Sequence, residues 1–243
     1  MAEQRTESIK LALTIQRPGK PKRSASLILI DRTGAVPRIL LGRRSDTQKF
    51  MPNLYVFPGG KTDRQDHKMH AISELRDFDN YRLLRGLGAN ASAAKARSIA
   101  LTAIRETYEE TGLVLGAVSQ IAQKVAGWSD FAKHGLAPQL ACLRVIARAV
   151  TPPNYPHRYD THFFAAFRDA ALHEGASRLR PSDEIADPGW FTISEAKQLA
   201  LPSITLQILL ELETRLGKDP ALEADLPMPY FSMRRGKFIR ETY

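Results

Sequence analysis

The sequence predicts a single mixed α/β (α+β) domain over residues 23–243, preceded by a flexible arm, residues 1–22, that ends in RPGKPK. Short apolar runs bounded by turn residues predict strands, and apolar residues three to four apart predict helices. The two patterns alternate along the chain, and no linker-like stretch divides them. A content of 43% hydrophobic and 25% charged residues is typical of a globular domain and supports this class.

Three short strands are predicted before residue 60. Ser26–Asp31 (SLILID) is apolar and ends at the turn-like RTGAVP, and Arg38–Arg43 (RILLGR) would return beside it as a hairpin. Leu54–Phe57 (LYVF) is the third strand. It stops at Pro58-Gly59-Gly60, which we interpret as a turn because glycine adopts backbone conformations that other residues cannot.

Helices are predicted in the middle of the chain. From His67, the segments ISELRDF and YRLLRGL carry apolar residues at helical spacing, so residues 67–98 are expected to form a helical insertion. Ala91–Thr111 is rich in alanine, arginine and glutamate, lacks proline and glycine, and precedes Gly112. This pattern predicts a helix that ends at the glycine.

Strands and helices alternate again in the C-terminal half. Leu140–Thr151 and Thr161–Phe167 are predicted strands, and Pro188–Phe191 is interpreted as a turn that enters a short strand. Ser194–Ala200 and Ile204–Leu216 have helical spacing. These elements complete one mixed unit.

Composition excludes several classes of protein. No run of 18 apolar residues occurs, so no membrane span is expected, and the N-terminal residues lack the apolar core of a secretory signal. Cys142 is the single cysteine, which excludes an internal disulfide and favours a reducing cytoplasm. Because it lies in the apolar run QLACLRVIARAV, we interpret it as an inert core residue.

The net charge of +9 favours a phosphate-rich partner without identifying it. Basic residues are densest at Lys20–Arg23 and Arg234–Arg240, and we interpret both runs as solvated segments. Neither has the interleaved aromatic residues or the zinc-ligand spacing of a dedicated nucleic-acid module. A nucleic-acid partner is therefore not expected.

Three acidic residues stand together near the end of the helix predicted over Ala91–Thr111. Glu106, Glu109 and Glu110 are related by i, i+3 and i+4, which puts them on one helical face. Like charges at this spacing repel by a few tenths of a kcal/mol per pair. A hard divalent cation such as Mg²⁺ would turn the repulsion into binding, because it takes carboxylate oxygens as ligands. The alternative is a solvated acidic face.

The segments FPGGK and RETYEETGL resemble the two halves of the Nudix box, GX5EX7REUXEEXGU, in which U is a bulky aliphatic residue. The residues that match are Gly60, Arg105, Glu106, Glu109, Glu110, Gly112 and Leu113. The resemblance implies a Nudix α/β/α sandwich with a central mixed sheet. It also implies that the three glutamates hold Mg²⁺ or Mn²⁺ against a diphosphate, and that Arg105 anchors the preceding loop through a carboxylate.

The match to the box departs from its pattern at three points. Asp66 stands where the box has glutamate, and Thr107 replaces the aliphatic residue. Residues 67–104, 38 in number, separate Asp66 from Arg105 where the box has seven. A long insertion here is similar to the branch that includes peroxisomal acyl-coenzyme A diphosphatases and their bacterial relatives, as is the later segment TPP followed by RYDTHFF. This resemblance implies coenzyme A or acyl-coenzyme A as the substrate.

Other site residues are predicted around this box. Glu184, six residues before Trp190, would face the carboxylate helix, with Asp183 and Asp187 as competitors. The predicted contacts to phosphate, leaving group or nucleobase are Arg43, Arg44, Gly59, Gly60, Lys61, Arg158 and Tyr159. For the charged residues among them, the alternative is an ordinary solvated side chain. Glu106 or Glu184 is expected to help deprotonate the attacking water.

Several functional alternatives stay open at this point. The substrate is expected to be a small nucleotide derivative, and ADP-ribose, NADH and dinucleoside polyphosphates compete with coenzyme A. A Nudix-like module that binds a nucleotide without cleaving it is a second class, and an RNA-binding or decapping protein is a third. The insertion over residues 67–98 is expected either to cap the site or to form the contact of a homodimer.

Overall fold

The computed structural model describes residues 19–48, 51–120 and 124–242. The strands in these ranges are β1 (Lys22–Asp31), β2 (Arg38–Arg44), β3 (Tyr55–Val56), β4 (Gly59–Lys61), β5 (Gly116–Val118), β6 (Leu136–Pro138), β7 (Arg144–Val150), β8 (Tyr159–Phe167), β9 (Ile185–Thr192), β10 (Pro229–Arg234) and β11 (Lys237–Thr242). The α-helices are α1 (Asp77–Leu87), α2 (Ala93–Thr111), α3 (Ser129–Lys133), α4 (Arg168–Ala171), α5 (Ile193–Ala196) and α6 (Ser203–Lys218).

The main sheet is mixed. In the described part of the chain its order is β11-β10-β7-β8-β1-β2-β3, with β4 paired to β1 and β9 paired to β2. Strand β1 runs parallel to β8 and antiparallel to β2 and β4. Strands β5 and β6 form a separate antiparallel pair.

Helices cover both faces of this sheet, because its central strands are apolar on both sides. Leu27 and Leu29 of β1 pack in the cluster that contains α2, whereas Ile28 and Ile30 pack in the cluster that contains α6. A strand buried on both faces needs a helical layer on each. The predicted α/β/α arrangement with a central mixed sheet is therefore confirmed.

Helix α2 carries the three predicted glutamates and packs against β1 and β4. It begins after Ser92, whose hydroxyl accepts a hydrogen bond from the Lys95 amide, and it ends at Gly112 in the left-handed conformation with φ 75°. Glycine takes this conformation without strain. The predicted C-terminal end of the helix is correct, while the predicted start at Ala91 is two residues early.

The predicted turn at Pro58-Gly59-Gly60 is wrong, since Gly59–Lys61 forms strand β4 against β1. A Cβ on Gly59 would lie 2.4 Å from the carbonyl oxygen of Ala25 and 2.6 Å from the Cα of Ser26. Glycine is therefore required at 59 for close approach of two chains rather than for a turn.

The predicted helix start at His67 is also wrong, because residues 67–76 form turns and irregular chain before α1. This segment bonds to residues 138–141, at the end of β6 and just after it. The Ile72 amide donates to Pro138 at 2.9 Å, and the Ser73 hydroxyl accepts from the Ala141 amide at 3.2 Å. Met69 and Leu75 are buried in the core, so their apolar spacing reflects tertiary packing.

Three further points of comparison with the predicted elements concern Pro188, the C-terminal strands and the N-terminal arm. Pro188 lies inside β9 rather than in a turn, which is possible because proline is tolerated in edge strands when its missing N–H can face away from a partner. The hairpin of β10 and β11 was not predicted. The arm predicted over residues 1–22 lies largely outside the described residues, and β1 already begins at Lys22.

Two other expectations can be compared with the structure. Among the described residues, no helix has both the length and the apolar character needed to cross a bilayer. Cys142 is buried, and burial raises the pKa of its thiol to about 12, which agrees with an inert core residue.

Candidate functional site

The site is organised around the buried guanidinium of Arg105. Its Nε lies 2.8 Å from Oδ1 of Asp66 and its Nη2 lies 3.0 Å from Oδ2, while Nη2 also donates to the carbonyl oxygen of Lys61 at 3.0 Å. Burial alone would lower the pKa of Arg105, but the hydrogen bonds to Asp66 and the neighbouring carboxylates raise it above its usual value. The arginine therefore stays charged and holds the chain that follows β4 onto α2.

Asp66 is fully buried and has further partners. Its Oδ2 accepts from the Thr102 hydroxyl and from the Asp63 amide, both at 2.9 Å. A buried carboxylate is tolerated when it is paired and hydrogen-bonded in this way. The aspartate that replaces the expected glutamate thus reaches Arg105 without losing the anchor.

Glu106 lies against the main chain of Gly60. A Cβ on Gly60 would be 2.5 Å from the carboxylate carbon of Glu106, and Oε1 of Glu106 is 3.0 Å from Nη1 of Arg105. Burial raises the pKa of Glu106 to about 7, opposed by the charge of Arg105 and assisted by Glu109. A glycine at 60 is what leaves room for this carboxylate.

Glu109 and Glu110 occupy different surroundings on the same helical turn. Glu109 accepts from Nη1 of Arg105 at 2.8 Å and is partly exposed, and burial raises its pKa. Glu110 is buried and accepts from the Gly59 amide at 2.8 Å. Burial, followed by repulsion from Glu106, raises the pKa of Glu110 well above its usual value. The three acids therefore share one face of α2 beside β4.

Two residues from other segments face this group. The negative charge of Glu184 helps to raise the pKa of all three glutamates. The positive charge of Arg44 lowers the pKa of Glu110 and so partly offsets the effect of burial. Their two segments are adjacent, because the amide of Ser45, the residue after Arg44, donates to the Glu184 carbonyl oxygen at 2.9 Å. The structure thus brings Glu184 and Arg44 to the carboxylate helix.

Comparison with known proteins finds relatives of this chain in sequence and in fold. No protein-family model matches the chain. Nudix hydrolase 7 of Caenorhabditis elegans is 29% identical over 153 residues, which are 60% of this chain and 44% of that protein. The crystal structure of a NUDIX hydrolase from Alicyclobacillus acidocaldarius superposes with a TM-score of 0.63 and 26% identity, covering 84% of this chain and 96% of that one.

The chain is similar in sequence and in fold to Nudix hydrolases. Its central mixed sheet with helices on both faces is the fold of that structural relative. The chain spans less than half the length of the curated relative, 44%, so that protein's activity is not transferred with the fold.

The chemistry of the three carboxylates fits a divalent cation. Glu106 and Glu110 are crowded acids whose pKa values are raised by burial, and the charge of Glu106 raises the pKa of Glu110 further. Their hard oxygen donors suit Mg²⁺ or Mn²⁺. The described residues contain no group of three acid, histidine or cysteine side chains already arranged around a metal position. Glu109 bonds to Arg105 at 2.8 Å beside the other two acids.

The remaining predicted substrate contacts, Arg43 and Arg158, bond to residues other than the glutamates. Arg43 is turned to Asp187, with its Nη2 2.6 Å from the carboxylate, and to Asn53. Arg158 donates to the carbonyl oxygens of Thr151 and Gly19. The substrate-binding roles of Arg43, Arg158 and Tyr159 stay predictions.

Sequence reasoning missed two residues of the candidate site. Thr102 hydrogen-bonds Asp66 and stands three residues before Arg105 on α2, so helical spacing was an available signal. Gly127, with φ 80°, comes from a separate loop, and a Cβ there would be 3.3 Å from Cδ of Arg105 and 3.5 Å from Oε1 of Glu109. No local pattern connects Gly127 with the box.

Proposed function

We propose that this protein hydrolyses the diphosphate bond of a nucleoside diphosphate derivative, with Mg²⁺ or Mn²⁺ held by Glu106, Glu109 and Glu110. The observation that carries the proposal is the gathering of these three acids beside the Gly59-Gly60 main chain, opposite Glu184. Crowded, desolvated carboxylates are unfavourable without a counterion. A bound cation would neutralise these carboxylates and could hold a diphosphate beside them, which a solvated acidic face does not require.

Each residue has a definite role in the proposed reaction. When bound, the divalent cation supplies charge neutralisation of the diphosphate and a lower pKa for water. Arg44, beside Glu110, binds a phosphate oxygen, and the Gly59-Gly60 main chain leaves room for it. Glu106 or Glu184 takes the proton of the attacking water. The products are two phosphate monoesters.

Coenzyme A or acyl-coenzyme A is the proposed substrate. Its support is the resemblance of residues 67–104 and of the RYDTHFF segment to the acyl-coenzyme A diphosphatase branch. The products would then be 4′-phosphopantetheine, or its acyl form, and adenosine 3′,5′-bisphosphate. We place the reaction in a reducing cytoplasm and propose a homodimer, in which residues 67–98 either form the contact or cap the site.

A panel of substrates tests this proposal. Coenzyme A, acetyl-coenzyme A, ADP-ribose, NADH and a dinucleoside tetraphosphate are incubated with Mg²⁺ or Mn²⁺, and the products are identified by mass. Cleavage of coenzyme A into two monophosphates is expected, and chelation should abolish it. Preferred cleavage of another compound in the panel would identify that compound as the substrate instead of coenzyme A. Activity that survives thorough chelation would reject the proposed role of the metal.

Two variants separate the enzyme from the competing classes. Glu109→Gln should lose most of the activity at unchanged fold, and Glu213→Gln, an exposed acid on α6 paired with Lys197, is the matched control. Tight nucleotide binding without turnover would support the non-catalytic module. An RNA affinity that falls steeply with salt would support the RNA-binding alternative.

A further inference from the structure

We infer that a cationic cavity next to the carboxylate site binds a phosphate monoester, and that this phosphate belongs to the substrate itself. The cationic cavity is defined by Lys22, Arg23, Lys61 and Arg64, together with Asp63 and Asp160, and its volume is about 460 Å³. This inference rests on the proposed function and extends it to a second anionic group of the substrate.

The charge of the cavity lining is unbalanced. Four cations face two acids, and Asp160 is already paired with Arg148, at 2.7 Å and 2.8 Å to Nε and Nη2. The Asp63 carboxylate accepts from the Gln65 amide at 2.8 Å. Within residues 19–48, 51–120 and 124–242, none of the four cations has an ion-pair partner. Cations gathered without counterions predict an anionic ligand.

The cavity is built from three segments whose main chains are fixed to one another. The Thr62 amide donates to the Arg23 carbonyl at 3.0 Å, and Ser24 stands opposite Lys61 in the β1–β4 pair. Arg23 stands opposite Asp160 in the β1–β8 pair. These contacts hold the basic residues of the β1 terminus and of the chain after β4 around one opening, so the site is preformed.

The cavity and the carboxylate group are connected through the main chain around Lys61. Lys61 directly follows Gly60, which packs on Glu106, and adjacent Cα atoms are only about 3.8 Å apart. The Lys61 carbonyl also accepts from Arg105, which holds the glutamate face in place. A substrate with its diphosphate at the glutamates can therefore extend a neighbouring group past Lys61 into the cavity.

A phosphate monoester suits this lining better than a carboxylate does. It carries about −1.5 to −2 charges at neutral pH, and two arginines offer forked donors to its three terminal oxygens. A nucleotide with a monoester phosphate on its ribose presents such a group beside the diphosphate. Inorganic phosphate is the other possible source of the same chemistry.

The test compares wild type with the double variant Arg23→Gln/Arg64→Gln. The control is Arg235→Gln/Lys237→Gln, which makes the same charge change in the exposed β10–β11 hairpin. Calorimetry without divalent cations measures binding of adenosine 3′,5′-bisphosphate, adenosine 5′-monophosphate and inorganic phosphate. Steady-state kinetics measure kcat and KM for coenzyme A and for 3′-dephospho-coenzyme A.

The inference predicts a selective loss. The cavity variant should weaken adenosine 3′,5′-bisphosphate binding and raise KM for coenzyme A by about tenfold or more, the effect of losing one charged hydrogen bond. The kcat of the cavity variant for coenzyme A should change little, and so should its kinetic constants for 3′-dephospho-coenzyme A. The control variant should have the binding and kinetic constants of wild type. If wild type cleaves nothing but binds the bisphosphate through these arginines, the proposed function fails and the phosphate site stands.

Two outcomes would overturn the inference. Equal binding of the bisphosphate by wild type and the cavity variant would show that the cavity holds no phosphate. Loss of inorganic phosphate binding with unchanged selectivity between the two coenzyme A forms would show that its ligand is free phosphate and not the substrate.

Discussion

Asp66 and Arg105 form a buried bidentate ion pair, at 2.8 Å and 3.0 Å, although 38 residues lie between them in the sequence. The pair joins the chain that follows β4 to the helix that carries the glutamates. The pair therefore fixes the side chains that would bind a cation relative to the glycines that face them. This ion pair, Gly60 and two buried titratable groups each lead to a testable prediction.

Removal of the Asp66 carboxylate should destabilise the fold strongly. Asp66→Ala leaves the buried Arg105 without its main counterion, so a loss of about 3–5 kcal/mol in unfolding free energy is expected from urea denaturation. The matched control is Asp169→Ala, which removes an exposed bidentate partner of Arg32 and should cost less than about 1 kcal/mol. Equal losses in the two variants would contradict a structural role for the buried pair.

Addition of one methyl group at Gly60 should impair activity more than stability. In Gly60→Ala the new Cβ would stand 2.5 Å from the Glu106 carboxylate carbon, so the carboxylate must move. Displacement of a reacting group by about 1 Å costs up to about a hundredfold in rate, and kcat should fall by at least tenfold. Gly34→Ala, whose Cβ would meet its nearest neighbour at 3.8 Å, should keep full activity.

Glu106 should make the metal-free protein less stable as the pH rises. Its pKa is raised to about 7 by burial from an ordinary value of 4.5. Its contribution to stability is therefore fully present below about pH 4.5 and is lost as the pH rises through 7. Glu106→Gln stays neutral, so in EDTA at pH 8 it should be more stable than wild type by on the order of 3 kcal/mol.

The measurement for Glu106 is urea denaturation at pH 4.5 and pH 8, with Glu213→Gln as the control for removal of an exposed acid. The advantage of Glu106→Gln should be small at the lower pH and large at the higher one. An advantage of equal size at both values would disprove the titration.

His162 should make the protein sensitive to acid. It is fully buried, neither ring nitrogen has a hydrogen-bond partner among the described residues, and burial lowers its pKa to about 4. Its stability contribution is present above about pH 6.5 and is lost as the pH falls towards 4, because only the unfolded chain then takes up the proton. The loss should approach about 3 kcal/mol.

Denaturation curves between pH 7 and pH 4 test the prediction for His162. His162→Leu removes this titration and should show a flatter dependence than wild type, whatever its stability at pH 7. His134→Leu, which changes an exposed histidine, should follow the wild-type slope. Parallel curves for wild type and His162→Leu would assign the acid sensitivity to other groups.

Local patterns along the chain predicted most of the central elements. The apolar runs at Ser26–Asp31 and Thr161–Phe167 lie within β1 and β8, and Gly112 ends α2 as expected. These features depend on neighbouring residues only. The helix expected from His67 failed because Met69 and Leu75 are spaced by the core that they fill, not by a helical repeat.

The sequence alone determined that Glu106, Glu109 and Glu110 share one face, since helical geometry places residues three and four apart together without help from the rest of the chain. The family resemblance predicted a carboxylate partner for Arg105 and a position for Glu184, but only the tertiary structure showed that Asp66 is that partner. Only the tertiary structure showed that four cations surround one cavity. Such contacts join residues far apart in sequence, and their positions depend on how the sheet and helices pack. No short spacing encodes them.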